Sequence, residues 1–295
     1  MSVQKQRPSR KSWRTAFTLI ELMVVIAIIA VLATLLLPVL GQAKSQAQAV
    51  GCLNNVRQLD MAWLMYAHEQ RDHLAYNLGG DANRQTVAPN NPMNWVNGVM
   101  SWELDPDNTN REPILQATLA PYCYNNTRIY KCPSDRALSD IQSAAGWTGR
   151  VRSYSMNAMV GDAGTLSQTG TNVNNPNYKQ FFRLTDIPNP ASIFVFLDEH
   201  PDSINDGYFL VRPNYYYPQW FDLPASYHNH GAEFAYADGH ADGHKWVDPE
   251  TLAAAQPDAA GLPRHVAAAR QNDFKWILQR TSVQQGQPST SVGGN

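Results

Sequence analysis

From Phe17 to Leu40 the chain carries a single charged side chain, Glu21, in 24 residues that are otherwise almost wholly apolar. A helix rises about 1.5 Å per residue, so roughly 20 such residues cover a bilayer core of about 30 Å. The run therefore predicts a transmembrane helix over 17–40. Lys5, Arg7, Arg10, Lys11 and Arg14 precede it with no acid among them, which places the N-terminus in the cytoplasm and the following chain across the membrane. An ordinary secretory signal predicts an apolar core of only about 7–15 residues. The small-residue pattern Ala47-Gln48-Ala49 lies well beyond the run, inside a helical pattern, so secretion by signal cleavage is the weaker reading.

Composition sharpens this picture. The 295 residues are 43% hydrophobic and 16% charged, with 23 basic and 25 acidic side chains and a net charge of -2. That excludes a highly charged disordered chain, a collagen-like fibre and a polytopic membrane protein. The five basic residues of the leader lie apart from all the acids, so the chain from residue 17 onward has 18 bases against 25 acids, a net of -7. Near-neutral charge and scattered bases give no support for nucleic-acid binding, and none is expected. Glu21 stands out, because a carboxylate in hydrocarbon costs on the order of 2.5–3.5 kcal/mol unless it has a partner or lies at the interface.

The segment Ala16-Phe17-Thr18-Leu19-Ile20-Glu21-Leu22 resembles the processing site of type IV prepilins and type II secretion pseudopilins. The resemblance implies cleavage by a prepilin peptidase/N-methyltransferase between Ala16 and Phe17, and methylation of Phe17. Glu21 would be the fifth residue of the mature chain and pair with the α-amino group of a neighbouring subunit's first residue. Pro38 would be the twenty-second, where the family places a helix kink; proline removes a backbone donor and crowds the preceding turn. The family usually has glycine before the cut, whereas this chain has Ala16. Further implied partners are other pilin-like subunits, an inner-membrane assembly platform and the lipid bilayer, with the head in the periplasm.

After Pro38, Ala49, Leu53, Val56, Leu59, Trp63 and Tyr66 recur at three- and four-residue steps between polar residues. This predicts an amphipathic continuation of the helix to about Glu69, with Trp63 and Tyr66 in a core. Five segments follow: a leader over 1–16, the membrane helix over 17–40, its amphipathic extension over 41–74, a globular extracytoplasmic head over 75–280, and a disordered Gln-, Ser- and Gly-rich tail over 281–295. Within the head, 79–113 reads as a long irregular loop anchored by Trp95 and Trp102, and 162–178 as a flexible insertion. Strand-like runs occupy Arg128–Lys131, Arg152–Met156, Ile193–Leu197, Tyr208–Val211, Ala232–Ala237 and Ala241–Trp246, and a late helix Asn272–Arg280. The fold class is α+β, pilin-like: a long N-terminal transmembrane helix with a small antiparallel sheet head domain.

The densest chemistry lies in Tyr227–His244. His228 is separated from Asp238-Gly239 by nine residues, and this H-x9-D-G spacing resembles the C-terminal signature of one pilin-like subgroup. The segments Cys52–Leu59, Lys131–Asp135, Arg152–Asn157 and Phe194–His200 resemble the same subgroup. Asp238-Gly239 is a strong turn signal between two alternating runs. A transition-metal site is the competing reading, with His228 and His230 on one strand face and His240, Asp242 and His244 on another. Calcium is a softer variant, with oxygens from Asp198, Glu199, Asp202, Asn205 and Asp206; the resemblance adds that some pseudopilins hold Ca²⁺ in the head. The candidate metal residues are Asp198, Asp202, Asp206, His228 and Asp238. Ser226, His228 and Asp238 can be drawn as a triad, but no nucleophile elbow surrounds Ser226.

Three cysteines allow one bridge at most. Cys123 and Cys132 are close enough in sequence to join a short hairpin, while Cys52 sits on the long helix; the resemblance favours Cys52–Cys132. The reading that follows is a structural, non-enzymatic pilin-like subunit of a type II secretion or type IV pilus-like filament. The alternative is a single-pass, membrane-anchored extracytoplasmic binding module, with or without a metal, that does not polymerise.

Overall fold

A computed structural model describes residues 18–79, 93–168, 170–212, 218–257, 259 and 261–285. The leader over 1–16, Phe17, the loop around Asn90-Asn91-Pro92 and the tail from 286 lie outside the described residues. The chain divides into two units, residues 1–44 and 45–295.

Helix α1 spans Leu19–Glu69. In the first unit its large apolar side chains from Leu19 to Leu40 are 44 to 75% exposed. An apolar surface of that extent is unstable in water at about 25 cal/mol per Å² and calls for another solvent. The helix is long and apolar enough to cross a membrane. Pro38 lies within it without ending it. Thr34 brings no unpaired hydroxyl into the run, because its Oγ1 donates to the Val31 carbonyl at 2.7 Å.

In the second unit the distal part of α1 is amphipathic. Cys52, Val56, Leu59, Trp63 and Ala67 form a fully buried stripe at helical spacing. Ten short strands follow among the described residues: β1 Tyr154–Asn157, β2 Thr171–Asn172, β3 Asn175–Lys179, β4 Phe194–Asp198, β5 Tyr208–Phe209, β6 Val211–Arg212, β7 Gln219–Trp220, β8 Gly231–Tyr236, β9 Ala241–Lys245 and β10 Arg264–His265. The main sheet has the order β5-β1-β4-β8-β9. Its pairs are antiparallel except for β1 with β5, which is parallel, so the sheet is mixed at that edge.

Alternation along the strands divides the core. Tyr154, Met156, Phe196, Ala235 and Ala237 pack with the α1 stripe on one face, where the small alanines let the helix approach. Phe194, Leu197, Ala232, Phe234 and Tyr236 pack on the other with Trp220, Trp246, Phe274 and Ile277. Phe274 and Ile277 belong to the C-terminal helix Asn272–Thr281. Strand β9 is the exposed edge, and its Asp242 and Lys245 blunt it against further pairing. The β8–β9 turn places Gly239 at φ +94, a conformation glycine adopts without steric cost.

Three segments differ from the sequence reading. Arg128–Lys131 is not a strand but part of a 3-10 turn, Thr127–Tyr130, because the Asn126 side chain caps it by accepting the Arg128 N–H at 3.2 Å. The stretch 162–178 is ordered as a short turn, Gly164–Leu166, and the β2–β3 pair. Its anchor is the buried Asn172 amide, which donates to Gln180 Oε1 at 3.1 Å and to the Tyr208 hydroxyl at 2.5 Å. Residues 281–285, read as the start of the tail, are ordered: Thr281 ends the C-terminal helix, and the residues after it continue the pairing at β3, with the Lys179 N–H donating to the Val283 carbonyl at 3.0 Å and the Gln285 N–H to the Asn177 carbonyl at 2.9 Å.

Candidate functional site

The start of α1 is a reciprocal cap. Glu21 Oε2 accepts from the Thr18 backbone N–H at 2.8 Å and from the Thr18 hydroxyl at 2.7 Å, while Thr18 Oγ1 accepts the Glu21 N–H at 3.2 Å. This is a capping box, which satisfies donors that the first helical turn leaves open. Within the chain itself, then, the one carboxylate of the apolar segment has a local role. Ala16 and Phe17 lie outside the described residues.

In the second unit, four side chains converge. The Sγ atoms of Cys52 and Cys132, a carboxylate oxygen of Asp198 and a ring nitrogen of His228 all lie within 4.8 Å of one another. Cys52 comes from the buried stripe of α1, one turn before Val56. Cys132 follows the 3-10 turn, and its backbone N–H donates to Ser153 Oγ at 2.5 Å, which holds the loop against the start of β1. Asp198 ends β4 on the same sheet face as Phe196, toward α1. His228 opens the tight turn into β8, where Asn229 and His230 both have positive φ (52° and 68°) and Gly231 N–H closes on the His228 carbonyl at 3.1 Å.

The contacts inside this cluster are short. The Cys52 thiol donates to Asp198 Oδ1 and Oδ2 at 2.9 and 3.0 Å. Cys132 Sγ lies 3.1 Å from His228 Nε2, and that nitrogen is 3.6 Å from Asp198 Oδ2. Around the cluster, the Tyr154 hydroxyl sits 2.9 Å from Cys52 Sγ. The Ser134 N–H donates to Cys132 Sγ at 3.4 Å, and the Glu233 N–H to Asp198 Oδ2 at 3.4 Å. Cys52, Cys132 and Asp198 are wholly buried and His228 nearly so.

Burial governs the electrostatics. It pushes the Cys52 and Cys132 thiols above the usual range and the Asp198 carboxyl well above its own. It also lowers His228 to about 4, so the imidazole is neutral. Thiols held protonated and out of solvent are poor nucleophiles, and the arrangement is not that of a reactive cysteine. Two sulfurs, a neutral imidazole and a carboxylate are instead ligand chemistry. A cleft of about 780 Å³, lined in part by Asn55, Lys131, Asp135 and Arg150, opens beside Cys132.

The other residues singled out in the sequence go elsewhere. Asp202 accepts the Gln256 N–H through both oxygens, at 2.9 and 2.8 Å, and lies 3.6 Å from His200 Nδ1. Asp206 Oδ1 accepts the Tyr208 N–H at 2.9 Å. Asp238 Oδ1 is 2.5 Å from His240 Nδ1, within the β8–β9 turn. His244 stacks on Trp276 with ring centroids 3.6 Å apart. The expected His228–His230 face does not form, because both residues occupy a turn and only His228 points inward. His240, Asp242 and His244 do share the side of the sheet that carries Tyr236, Phe234 and Ala232, but they do not converge: His240 stacks on Tyr236 and His244 on Trp276. The Ser226–His228–Asp238 triad is likewise not assembled: His228 faces Cys132 and Asp198, and Asp238 faces His240. All three cysteines are free thiols; Cys52 and Cys132 are neighbours, and Cys123 is buried outside the cluster. Among the described residues this is the one group of three or more such side chains close enough to share an ion. Sequence reasoning singled out Asp198 and His228 but treated Cys52 and Cys132 as a disulfide question.

Residues 14–37 match the family model of the prokaryotic N-terminal methylation motif. The N-terminus of this chain is prepilin-like. The match overlaps the apolar part of α1 described above and indicates a prepilin-like substrate of a prepilin peptidase. Together with the exposed apolar helix, it points to membrane anchoring. Comparison with curated proteins and with solved structures finds no match.

Proposed function

We propose that the protein is a pilin-like subunit without catalytic activity, cut between Ala16 and Phe17, methylated on Phe17, and assembled through its apolar helix into a type II secretion or type IV pilus-like filament. The observation that carries the reading is the methylation motif at 14–37 coinciding with a helical segment whose large apolar side chains are exposed among the described residues. In a filament, other subunits' helices cover that surface; before assembly, the bilayer does. The head then lies on the far side of the cytoplasmic membrane, consistent with five basic residues and no acids before the span.

Glu21 separates a polymerising subunit from a simple anchor. In this reading its carboxylate pairs with the methylated amine of the adjacent subunit's Phe17, as well as capping its own helix. Glu21→Ala should leave the protein in the membrane but abolish its incorporation into sheared or cross-linked filaments. Glu21→Ala protein that still enters filaments, or wild-type protein that never cross-links to another pilin-like chain, would show an anchored module instead.

A further inference from the structure

We propose that Cys52, Cys132, Asp198 and His228 form a closed four-coordinate site for a divalent transition ion of the zinc class, a structural staple between α1 and the sheet. The site lies wholly in the unit 45–295 and is independent of whether the chain polymerises.

Distance comes first. A tetrahedral zinc with bonds of about 2.0–2.3 Å sets its ligand atoms roughly 3.3–3.8 Å apart. The four atoms here lie within 4.8 Å of one another, with contacts of 2.9, 3.1 and 3.6 Å already made between them. Closing the widest separation by about 1 Å and opening the shortest contacts by about half an ångström brings the four atoms to that geometry, a change shared among four side chains.

Ligand type selects the ion. Calcium and magnesium take six or more oxygens, whereas this group offers two sulfurs, one imidazole nitrogen and one carboxylate. Sulfur and imidazole together favour zinc, or cobalt placed in its stead. His228 presents Nε2 to the cluster. Two thiolates and a carboxylate around a dication leave one negative charge. The Ser134 N–H toward Cys132 Sγ, the Glu233 N–H toward Asp198 Oδ2 and the Tyr154 hydroxyl beside Cys52 Sγ are all placed to stabilise it. Such outer donors are what metal-bound thiolates and carboxylates use.

Position gives the role. The ligands come from a helix, a loop, a strand end and a turn, with Cys52 and Asp198 separated by 146 positions and Cys132 and His228 by 96. One ion would therefore close several long loops at once. Every ligand is buried and all four valences are used by protein, so no position is open to substrate; this is the pattern of a structural site rather than a catalytic one. The strained left-handed pair Asn229–His230 fixes His228 at its place, which fits a turn shaped around a ligand.

The test uses the full chain in detergent, purified without chelator or reductant. Elemental analysis should find about one zinc-class ion per chain. Exchange into Co²⁺ should give an intense thiolate-to-cobalt charge-transfer band with the strong visible bands of a four-coordinate ion. Cys52→Ser and Cys132→Ser should each weaken Co²⁺ binding at least about tenfold, while Cys123→Ser leaves the spectrum unchanged. If a ligand variant fails to fold, the stoichiometry and cobalt spectrum of the wild-type chain still decide. A chain that takes up no Co²⁺, a Cys52–Cys132 disulfide peptide in the unreduced digest, or cobalt bands that survive Cys132→Ser would overturn the assignment.

Discussion

Cys132 Sγ and His228 Nε2 lie 3.1 Å apart across 96 positions of sequence, joining the loop before β1 to the turn before β8. Neither residue belongs to a strand or a helix, so their meeting depends on the elements either side being correctly placed. With Cys52 and Asp198 they make a buried polar centre at α1, in a core built mostly from apolar side chains.

If that centre holds an ion, removing the ion should loosen the head. A ligand bound at a hundred times its Kd contributes about 2.7 kcal/mol to folding. Treatment with a strong chelator is therefore expected to lower the thermal unfolding midpoint of the full chain, and zinc, but not magnesium, to restore it. An unfolding midpoint indifferent to both would contradict this.

Packing of α1 on the sheet predicts unequal costs for two aromatic residues one turn apart. Trp63 is wholly buried, and Trp63→Ala should destabilise by about 3–5 kcal/mol. Tyr66 is only half-buried, meeting Tyr122 edge-on at 5.9 Å, so Tyr66→Ala should cost clearly less. Denaturant titration of the two variants measures the difference; equal losses would mean that the helix does not pack by this stripe.

Asp60 is buried on α1, and neither carboxylate oxygen has a hydrogen-bond partner among the described residues. Burial, with the Asp238 carboxylate adding to it, pushes its pKa well above the usual range. A raised folded pKa favours the protonated form, so the contribution is fully present below the ordinary carboxyl pKa and lost as pH rises through the folded one. Asp60→Leu should therefore stabilise the chain at pH 7, by about 1–3 kcal/mol, with the gain shrinking as pH falls toward 4. A gain independent of pH would refute the mechanism.

His244 works in the opposite sense. Burial against Trp276, and secondarily Arg280, lowers its pKa from 6.5 to about 4. The unfolded chain then binds more protons than the folded one between those values, so stability is lost as pH falls from 6.5 toward 4. His244→Phe keeps a ring on Trp276 and removes the proton. Its stability should decline less steeply over that window than wild type, as read by urea unfolding at several pH values; parallel curves would count against it.

Much of this architecture was legible in the sequence, because periodicity and turn chemistry are local. The apolar run, the Leu59–Trp63 stripe, the alternation through Phe234 and the Asp238-Gly239 turn each announce their element within a dozen residues. Arg128–Lys131 was misread because its β-like residues are overruled by a side-chain cap from Asn126. Asn172 shows the same limit in reverse: a segment rich in Gly and Asn reads as flexible until its amide finds Tyr208 and Gln180, which no local pattern reveals.

The centre at α1 was only half legible for a related reason. His228 and Asp198 draw attention as metal-ligating types, but Asp202, Asp206 and Asp238 beside them in sequence are occupied by backbone N–H groups or by His240. Cys52 and Cys132 complete the group from far along the chain. Cys52, Cys132, Asp198 and His228 are separated by 80, 66 and 30 positions in turn, so no local spacing marks them as one group.

The central claim is that this chain is a processed, pilin-like subunit, and intact-mass and N-terminal peptide analysis of the protein recovered from membranes tests it most directly. The account predicts loss of Met1–Ala16 and a chain beginning with N-methylated Phe17. Recovery of the chain with Met1 and the leader intact, or beginning after Ala49, would contradict it.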